Sequence, residues 1–423
     1  VAETSAWCEV IANFLQPHQA KFSRAADGFA MALATSLPWS VSATGIFVGL
    51  WVLAVLPTLD GAVLRDTFRK PAAAVVVGFV ALAALGMLWS EATWPRAFQG
   101  LTQFLKLLVI PLLFIHFSRS ERGLWVFGAF LLSCSVLLLA SFALIAFPRP
   151  FGWRLNTHGI PVRDRIVQSG EFVLCALGTL YVGVDYFRAG RRLLAMALAV
   201  LAAAFLANVL YIAASRTALL VIPVLLLLWS IRLFGWKGTA IVAVAGIVLG
   251  GVIWMSSSHL RERITGIVQE IQGYEDSGEA TSSGQRLSYW TKAVGFIKQA
   301  PVIGHGTGTI RQLFEQASIG QGKEWQTANP HNQTLAIGIQ LGAVGIAVLF
   351  ALWLTHFLLF VGQPGLMAWI GLMVVVQNIV SSLFNSHLFD FSQGWTYVLG
   401  VGVAGGAMLR AGRRSGADSQ RPV

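Results

Sequence analysis

Long apolar stretches at 72–88, 105–117, 124–147, 193–212, 219–229, 240–254, 341–361 and 366–383 constrain this chain more than any other feature of it. Runs of that length with almost no charge match the thickness of a lipid bilayer when coiled as helices. Backbone N–H and C=O groups in hydrocarbon have no water to bond, so a spanning segment is either a helix or a strand of a closed barrel. Barrel strands alternate between a lipid face and a lumen face, and these runs are too long and too uniform for that. Composition agrees, with 56% hydrophobic residues, 12% charged residues and a mean hydropathy of +0.68. That is more apolar surface than a soluble core can hide. The sequence therefore predicts an all-α polytopic integral membrane protein with about twelve spans. They fall near 25–37, 41–57, 71–89, 100–117, 123–147, 166–187, 193–212, 216–231, 238–255, 333–361, 365–384 and 394–410.

The net charge of +11 is informative through its distribution. Short loops that alternate along this layout carry Arg65, Arg69 and Lys70, then Arg119 and Arg122, then Arg188, Arg191 and Arg192, then Arg232 and Lys237. Arg410, Arg413, Arg414 and Arg421 follow the last span on the same side. The positive-inside rule makes that side cytoplasmic. Both termini are then expected inside, and residues 256–331 form a large outward loop. The chain divides into 1–255 with about nine spans, the loop 256–331, and 332–423 with about three spans and a tail. No removable leader is expected in the segment through Arg24, which lacks an apolar core with a cleavage site. Cys8, Cys134 and Cys175 form no disulfide framework and no Cys-x-x-Cys pair.

Two outward segments run against the charge trend. The loop 148–165 carries Arg149, Arg154, Arg163 and Arg165, and the turn before the eighth span carries Arg216. Contact with anionic headgroups is one explanation. An anionic substrate on that side is the other, because a guanidinium presents a fork of donors suited to phosphate oxygens.

The outward loop holds as many acidic as basic residues, so it is not a polybasic arm. From Arg286, the apolar positions Leu287, Trp290, Val294 and Ile297 predict a helix lying along the membrane surface, with Pro301 past its end. Gly304-His305-Gly306-Thr307-Gly308 opens a second short helix ending near Gln316. Glycines there permit a tight turn, and amides at a helix start attract anions. The segment is equally compatible with a plain turn, and His305 reads as a loop residue. In Asn329-Pro330-His331, Asn is a favoured N-cap and Pro a favoured first helical residue. His331 then falls in the first turn of the next helix, where the dipole disfavours imidazolium. It is either a neutral proton acceptor at the membrane boundary or a hydrogen-bonding cap residue.

These residues together resemble the O-antigen ligase and polymerase superfamily of bacterial envelope glycosyltransferases. Its ligases carry an Arg-x-x-x-Leu element and a His followed ten residues later by Gly, on either side of a large periplasmic loop. Arg216 with Leu220 supplies the first here, and His331 with Gly342 the second. The runs Gln285-Arg286-Leu287-Ser288-Tyr289-Trp290 and Pro301-x-x-Gly304-x-Gly306-x-Gly308 also look like the family's loop sequence. The resemblance implies a glycosyltransferase-C-like fold in the bacterial inner membrane with a periplasmic active site. It implies transfer of a glycan from undecaprenyl diphosphate to a hydroxyl, which for a ligase belongs to a lipid A-core sugar. In that reading His331 is the general base. Arg216, Arg286, Arg154, Arg163 and Arg165, with Gly304, Gly306 and Gly308, bind the donor diphosphate. Asp390, near His387 in the last outward loop, is the group expected to orient His331 or an arginine.

No metal or other cofactor is expected, since arginines can supply the cation's electrostatic role. Glu275, Asp276 and Glu279 read as a solvated acidic loop. Lys106 and Glu171 lie inside predicted spans, where ionisable groups are expensive and often functional, and Lys106 can also snorkel to the boundary. A polymerase joining repeat units and a protein O-oligosaccharyltransferase share this donor logic and differ in acceptor. A lipid-linked sugar flippase is the alternative from another class, although transporters place their polar features near the midplane. Nothing points to nucleic acid.

Overall fold

The computed structural model describes residues 18–147, 159–162, 164–277, 280–322 and 325–418, and these are helical, with no strand among them. The helices in chain order are α1 (Gln19–Ser36), α2 (Val41–Val55), α3 (Gly61–Phe68), α4 (Pro71–Leu85), α5 (Trp94–Leu105) and α6 (Val109–Phe117). They continue with α7 (Gly123–Ala146), α8 (Arg165–Arg188), α9 (Arg192–Tyr211), α10 (Arg216–Ser256), α11 (Ser258–Ser277) and α12 (Ser282–Gln299). The last four are α13 (Ile310–Gln316), α14 (Gln333–Phe360), α15 (Leu366–Ser381) and α16 (Phe391–Asp418). Among the described residues, seven helical segments are each long and apolar enough to cross a bilayer, and α3 with α4 makes an eighth if that pair, bent by 87°, counts as one. Helix is present at every one of the twelve expected positions, several of them shorter than a full crossing.

The 41-residue α10 explains part of the difference. A straight helix of that length spans about 60 Å, roughly twice the hydrocarbon thickness. Gly235, at φ 63° and ψ −170°, breaks it instead. Ser230 Oγ then lies 3.3 Å from Thr239 Oγ1, nine residues on, and Tyr211 OH lies 3.0 Å from Ser256 Oγ. Both distances require the chain to double back, so 216–234 and 236–256 are two antiparallel limbs.

Side-chain-to-backbone bonds sort the loops into two ends. At one, Arg119 donates to Thr58 O, Arg410 to Ser120 O and Arg232 to Gln363 O. This basic end gathers the loops that the charge pattern grouped together. The opposite end gathers the turn after α4, the segment 300–309, the start of α14 and the α15–α16 loop. Between them runs one apolar core in which α15 and α16 are central, with Trp369, Phe114, Phe117 and Tyr397 fully enclosed. Small residues let these helices approach closely. A Cβ on Gly402 of α16 would lie 2.4 Å from Leu113 of α6.

A break in α14 shapes the site end. Gly342 has φ 60°, and the helix bonds from Ala343 to Ile339 and from Val344 to Gln340 are replaced. Ala343 N–H donates to Pro301 O and Val344 N–H to Val302 O, while Ile339 O accepts from His305 N and Gln340 O from Gly306 N. Every group freed by the break is satisfied by the glycine segment, as a low-dielectric environment demands. The contact is so close that a Cβ on Gly342 would lie 2.4 Å from the Val302 carbonyl, and one on Gly304 would lie 2.5 Å from Leu341 N. Gly306 and Gly308 are wedged in the same way against Ser90 and Arg96–Ala97. Two separate sequence motifs are thus the two halves of one backbone joint.

Two sequence expectations need correction here. The buried face of α12 is Tyr289, Ala293 and Phe296, packed on Ile310, Phe314, Ala336 and Ile339, whereas Leu287 and Val294 are exposed. The stripe is displaced because α12 packs on α13 and α14 rather than only on a lipid surface. The N-cap of α14 is Asn332, whose side chain accepts from Leu335 N, so Pro330 and His331 precede the helix instead of opening it.

Candidate functional site

His331 stands out by its backbone. Its φ of 54° is the one left-handed value at a non-glycine position among the described residues. Such a conformation costs on the order of 1–3 kcal/mol and persists where surrounding bonds enforce it. Asn329 Oδ1 accepts the His331 N–H at 2.8 Å, and Trp290 Nε1 donates to Pro330 O at 3.0 Å. Gln333 N–H donates to Ser382 O, and Gln333 Oε1 accepts from Leu388 N, tying the segment to the α15–α16 loop. The imidazole stacks on Tyr289 with ring centroids 6.3 Å apart.

The ring's tautomer follows from its partners. Asn385 Nδ2 donates to Asp390 Oδ2 at 2.8 Å, and Asn385 Oδ1 accepts from Asn329 Nδ2 at 3.2 Å. The amide orientation is thereby determined, with Oδ1 facing His331 Nδ1 at 2.9 Å. Nδ1 must carry the proton, which leaves Nε2 with a lone pair. Asp390 makes no direct bond to His331 here; the two are linked through Asn385. Lys106 Nζ holds the loop from below, donating to Phe389 O and Asp390 O at 2.9 Å each. Burial, the largest effect, raises the Asp390 pKa to about 6, with Lys106 opposing and Asp164 assisting.

Charges converge on the same place. Burial and then the charge of Arg286 lower the His331 pKa, against the Asn385 hydrogen bond that raises it. The imidazole is kept neutral as expected, but by burial and a cation rather than by a helix dipole. His387 is held down to about 4 by burial, then by Arg286 and His331. Arg286 itself is lowered by burial and by Arg216, with Glu270 opposing. Arg216, His331 and His387 thus lie within electrostatic reach of Arg286, which sits one turn beyond Ser283, the α12 residue that bonds Arg216.

Arg216 is the first residue of α10, whose N-cap Ser215 accepts from Ala218 N. Its guanidinium grips Glu270 of α11 with both terminal nitrogens, Nη2 to Oε1 at 2.9 Å and Nη1 to Oε2 at 3.2 Å. Nη1 also donates to Ser283 Oγ at 2.8 Å. Burial works against ionisation of Glu270, and bonds from Arg216 and Ser283 outweigh it, so its pKa is lowered. Among the described residues, no carboxylate oxygen lies within 4 Å of the Arg286 guanidinium nitrogens.

Arg165 opens α8 directly after Asp164, whose carboxylate is near enough to act on Asp390. Arg154, Arg163 and Glu279 fall outside the described residues. The amides of Gly304, Gly306 and Gly308 do not form an anion cradle. They donate to Ala300 O, Gln340 O and Gln340 Oε1, so none remains for a diphosphate. His305 is structural as well, bonded to Glu91 Oε1 and Phe296 O. Glu171 is buried within α8. Glu275 and Asp276 are exposed near the end of α11. No group of three or more His, Cys, Asp or Glu side chains suited to a metal ion occurs among the described residues.

Asn385 and Glu270 were missed by sequence reasoning. Asn385 sits in the same Asn-Ser-His-Leu-Phe-Asp run as His387 and Asp390, and that proximity was the only available signal. Glu270 gives none, because its partner is 54 residues away.

No curated protein matches the chain. Residues 201–350 match the sequence model of the family described as O-antigen ligase. That segment runs from the middle of α9 to the middle of α14 and includes Arg216, Arg286, His331 and Gly342. Over that segment, about a third of its length, the chain is similar to the O-antigen ligase family.

Proposed function

We propose that this protein transfers a glycan from undecaprenyl diphosphate to a sugar hydroxyl of lipid A-core, at the periplasmic face of the bacterial inner membrane. The observation that carries the reading is the His331 imidazole, neutral and fixed by Asn385 with its Nε2 lone pair available, beside the paired cations Arg286 and Arg216. A base and an anion site in one place are the two requirements of glycosyl transfer from a diphosphate.

In the proposed step, His331 Nε2 takes the proton of the acceptor hydroxyl while that oxygen attacks the anomeric carbon. The bond from the anomeric carbon to the diphosphate oxygen breaks, and its electron pair leaves with the diphosphate. Attack opposite the leaving group inverts the anomeric centre. Arg286 and Arg216 stabilise the charge growing on the leaving group, where preorganised cations are most effective. Each reactant is membrane-anchored, so the encounter takes place in two dimensions at the site end. The distribution of basic residues at the other end supports the periplasmic orientation.

The test is a reconstituted reaction with undecaprenyl-diphosphate glycan, purified lipid A-core and EDTA. Glycosylated lipid A-core, lost in His331→Ala with the protein still monodisperse, is the expected result. Product formed only when a divalent cation is restored would overturn the metal-free mechanism. Extension of the lipid-linked glycan, or transfer to a protein hydroxyl, would replace the ligase reading with the polymerase or the protein oligosaccharyltransferase.

A further inference from the structure

Glu270 does something that glycosyl transfer does not require. Its carboxylate occupies the two-pronged face of Arg216 that a phosphate would take, and it is strongly held there. Glu270 Oε2 also accepts from Ser283 N at 3.0 Å and Ser283 Oγ at 2.5 Å, and Thr281 Oγ1 donates to Glu270 O at 2.6 Å. The ion pair is about three-quarters buried on each side. Arg286 lies one helical turn beyond Ser283 on α12, the residue bonded to both Arg216 and Glu270, and its guanidinium makes no ion pair with Glu270. The pair of arginines thus carries one internal anion on one of its two forks.

A bacterial bilayer surrounds such a site with anionic phospholipids such as phosphatidylglycerol, whose phosphodiester carries a single net negative charge and oxygens that fit a guanidinium. Exchanging Glu270 for one of these replaces one monoanion by another at Arg216. The tethered carboxylate wins that exchange, because its ordering cost is already met by the fold and its other bonds would be lost. A diphosphate differs in kind. It brings at least two charges on linked phosphoryl groups, so one group can take Arg216 while the other takes Arg286, which Glu270 leaves unbonded.

We propose that Glu270 is a specificity-determining residue, an internal carboxylate that keeps singly charged phosphodiester headgroups off Arg216 and yields to a lipid-linked diphosphate that bridges Arg216 and Arg286. The inference rests on the proposed donor chemistry and adds to it the means of rejecting bulk lipid. Displacement needs only rotation of the Glu270 side chain. Ser283 Oγ then remains as a donor to the incoming oxygen.

The test compares the full-length wild type with Glu270→Gln in nanodiscs, of phosphatidylcholine alone or of equal parts phosphatidylcholine and phosphatidylglycerol. Binding of undecaprenyl diphosphate and the initial transfer rate are both measured. Loss of the competing charge is expected to tighten diphosphate binding about fivefold in neutral nanodiscs, the scale of a partly exposed ion pair. Phosphatidylglycerol should cancel that gain and slow the variant while leaving the wild type within about twofold, since Glu270 already excludes a monoanion. Equal or weaker binding by the variant in neutral lipid overturns the proposal, as does the same phosphatidylglycerol response in both proteins. If Glu270→Gln is not monodisperse, Ser283→Ala, which loosens the grip on Glu270, should show the same phosphatidylglycerol sensitivity in smaller degree, and its absence overturns the proposal. Undecaprenyl diphosphate binding that is unaffected by Arg286→Ala would instead sink the donor assignment beneath it.

Discussion

Replacing Asn385 with alanine isolates the orientation of the base from its presence. The side chain is buried, accepts the His331 Nδ1 proton at 2.9 Å and donates to Asp390 at 2.8 Å. Its loss removes the acceptor that selects the Nδ1–H tautomer and one of the bonds opposing the left-handed strain at His331. A neutral hydrogen bond contributes about 1 kcal/mol to stability, so the fold should survive. General base catalysis is worth roughly 10²- to 10⁴-fold, and a base in the wrong tautomer forfeits much of it. Asn385→Ala should therefore lower kcat about a hundredfold, equivalent to about 2.7 kcal/mol of transition-state stabilisation. The donor KM should stay within about threefold, because neither arginine is touched. Initial rates in proteoliposomes over a donor series, with His331→Ala as the lower bound, separate the two parameters. Asn385→Asp is the companion variant. Its carboxylate still accepts from Nδ1 but raises the His331 pKa, moving the acidic limb of the pH profile upward. A kcat within threefold of wild type in Asn385→Ala, or a fall expressed in KM alone, would refute the positioning role.

The remaining predictions use the charges and the backbone joint. His331 works as a base only when neutral, and burial and Arg286 lower its pKa from 6.5. Activity should thus persist below the usual histidine range, and Arg286→Gln should move the acidic limb of residual kcat/KM upward by removing the nearby cation; an unmoved limb would show that the two groups are not coupled. Gly342→Ala should leave little folded protein on fluorescence-detected size exclusion. It combines a left-handed φ with an overlap against the Val302 backbone, together costing several kcal/mol by the usual scale. Gly246→Ala, with nothing within 4 Å, is the tolerated control, and equal behaviour of the two would contradict the backbone joint at Gly342.

What the sequence determined by itself is the part governed by solvent and by local chain chemistry. Apolar runs can satisfy their backbones in lipid only as helices, so the all-α membrane fold and the placement of its helices were legible from hydropathy alone. The alternation of basic loops likewise sorted the ends, because each cluster lies next to its own span. Arg216, Arg286, His331 and Asp390 could be singled out, since charged and imidazole groups are conspicuous against an apolar background.

Tertiary structure decided which of those groups meet and through whom. Asp390 reaches His331 by way of Asn385, marked only by its place in the same short run, and Arg216 is matched by Glu270, which carries no mark in its own neighbourhood. The glycines show the same limit from the other direction. Gly304, Gly306 and Gly308 permit an anion nest in sequence, but their amides are spent on carbonyls released by the break at Gly342. Hydrogen-bond partners separated by tens of residues are chosen by packing. A backbone amide has one proton to give, so its role is settled only when the fold has brought its acceptor to it.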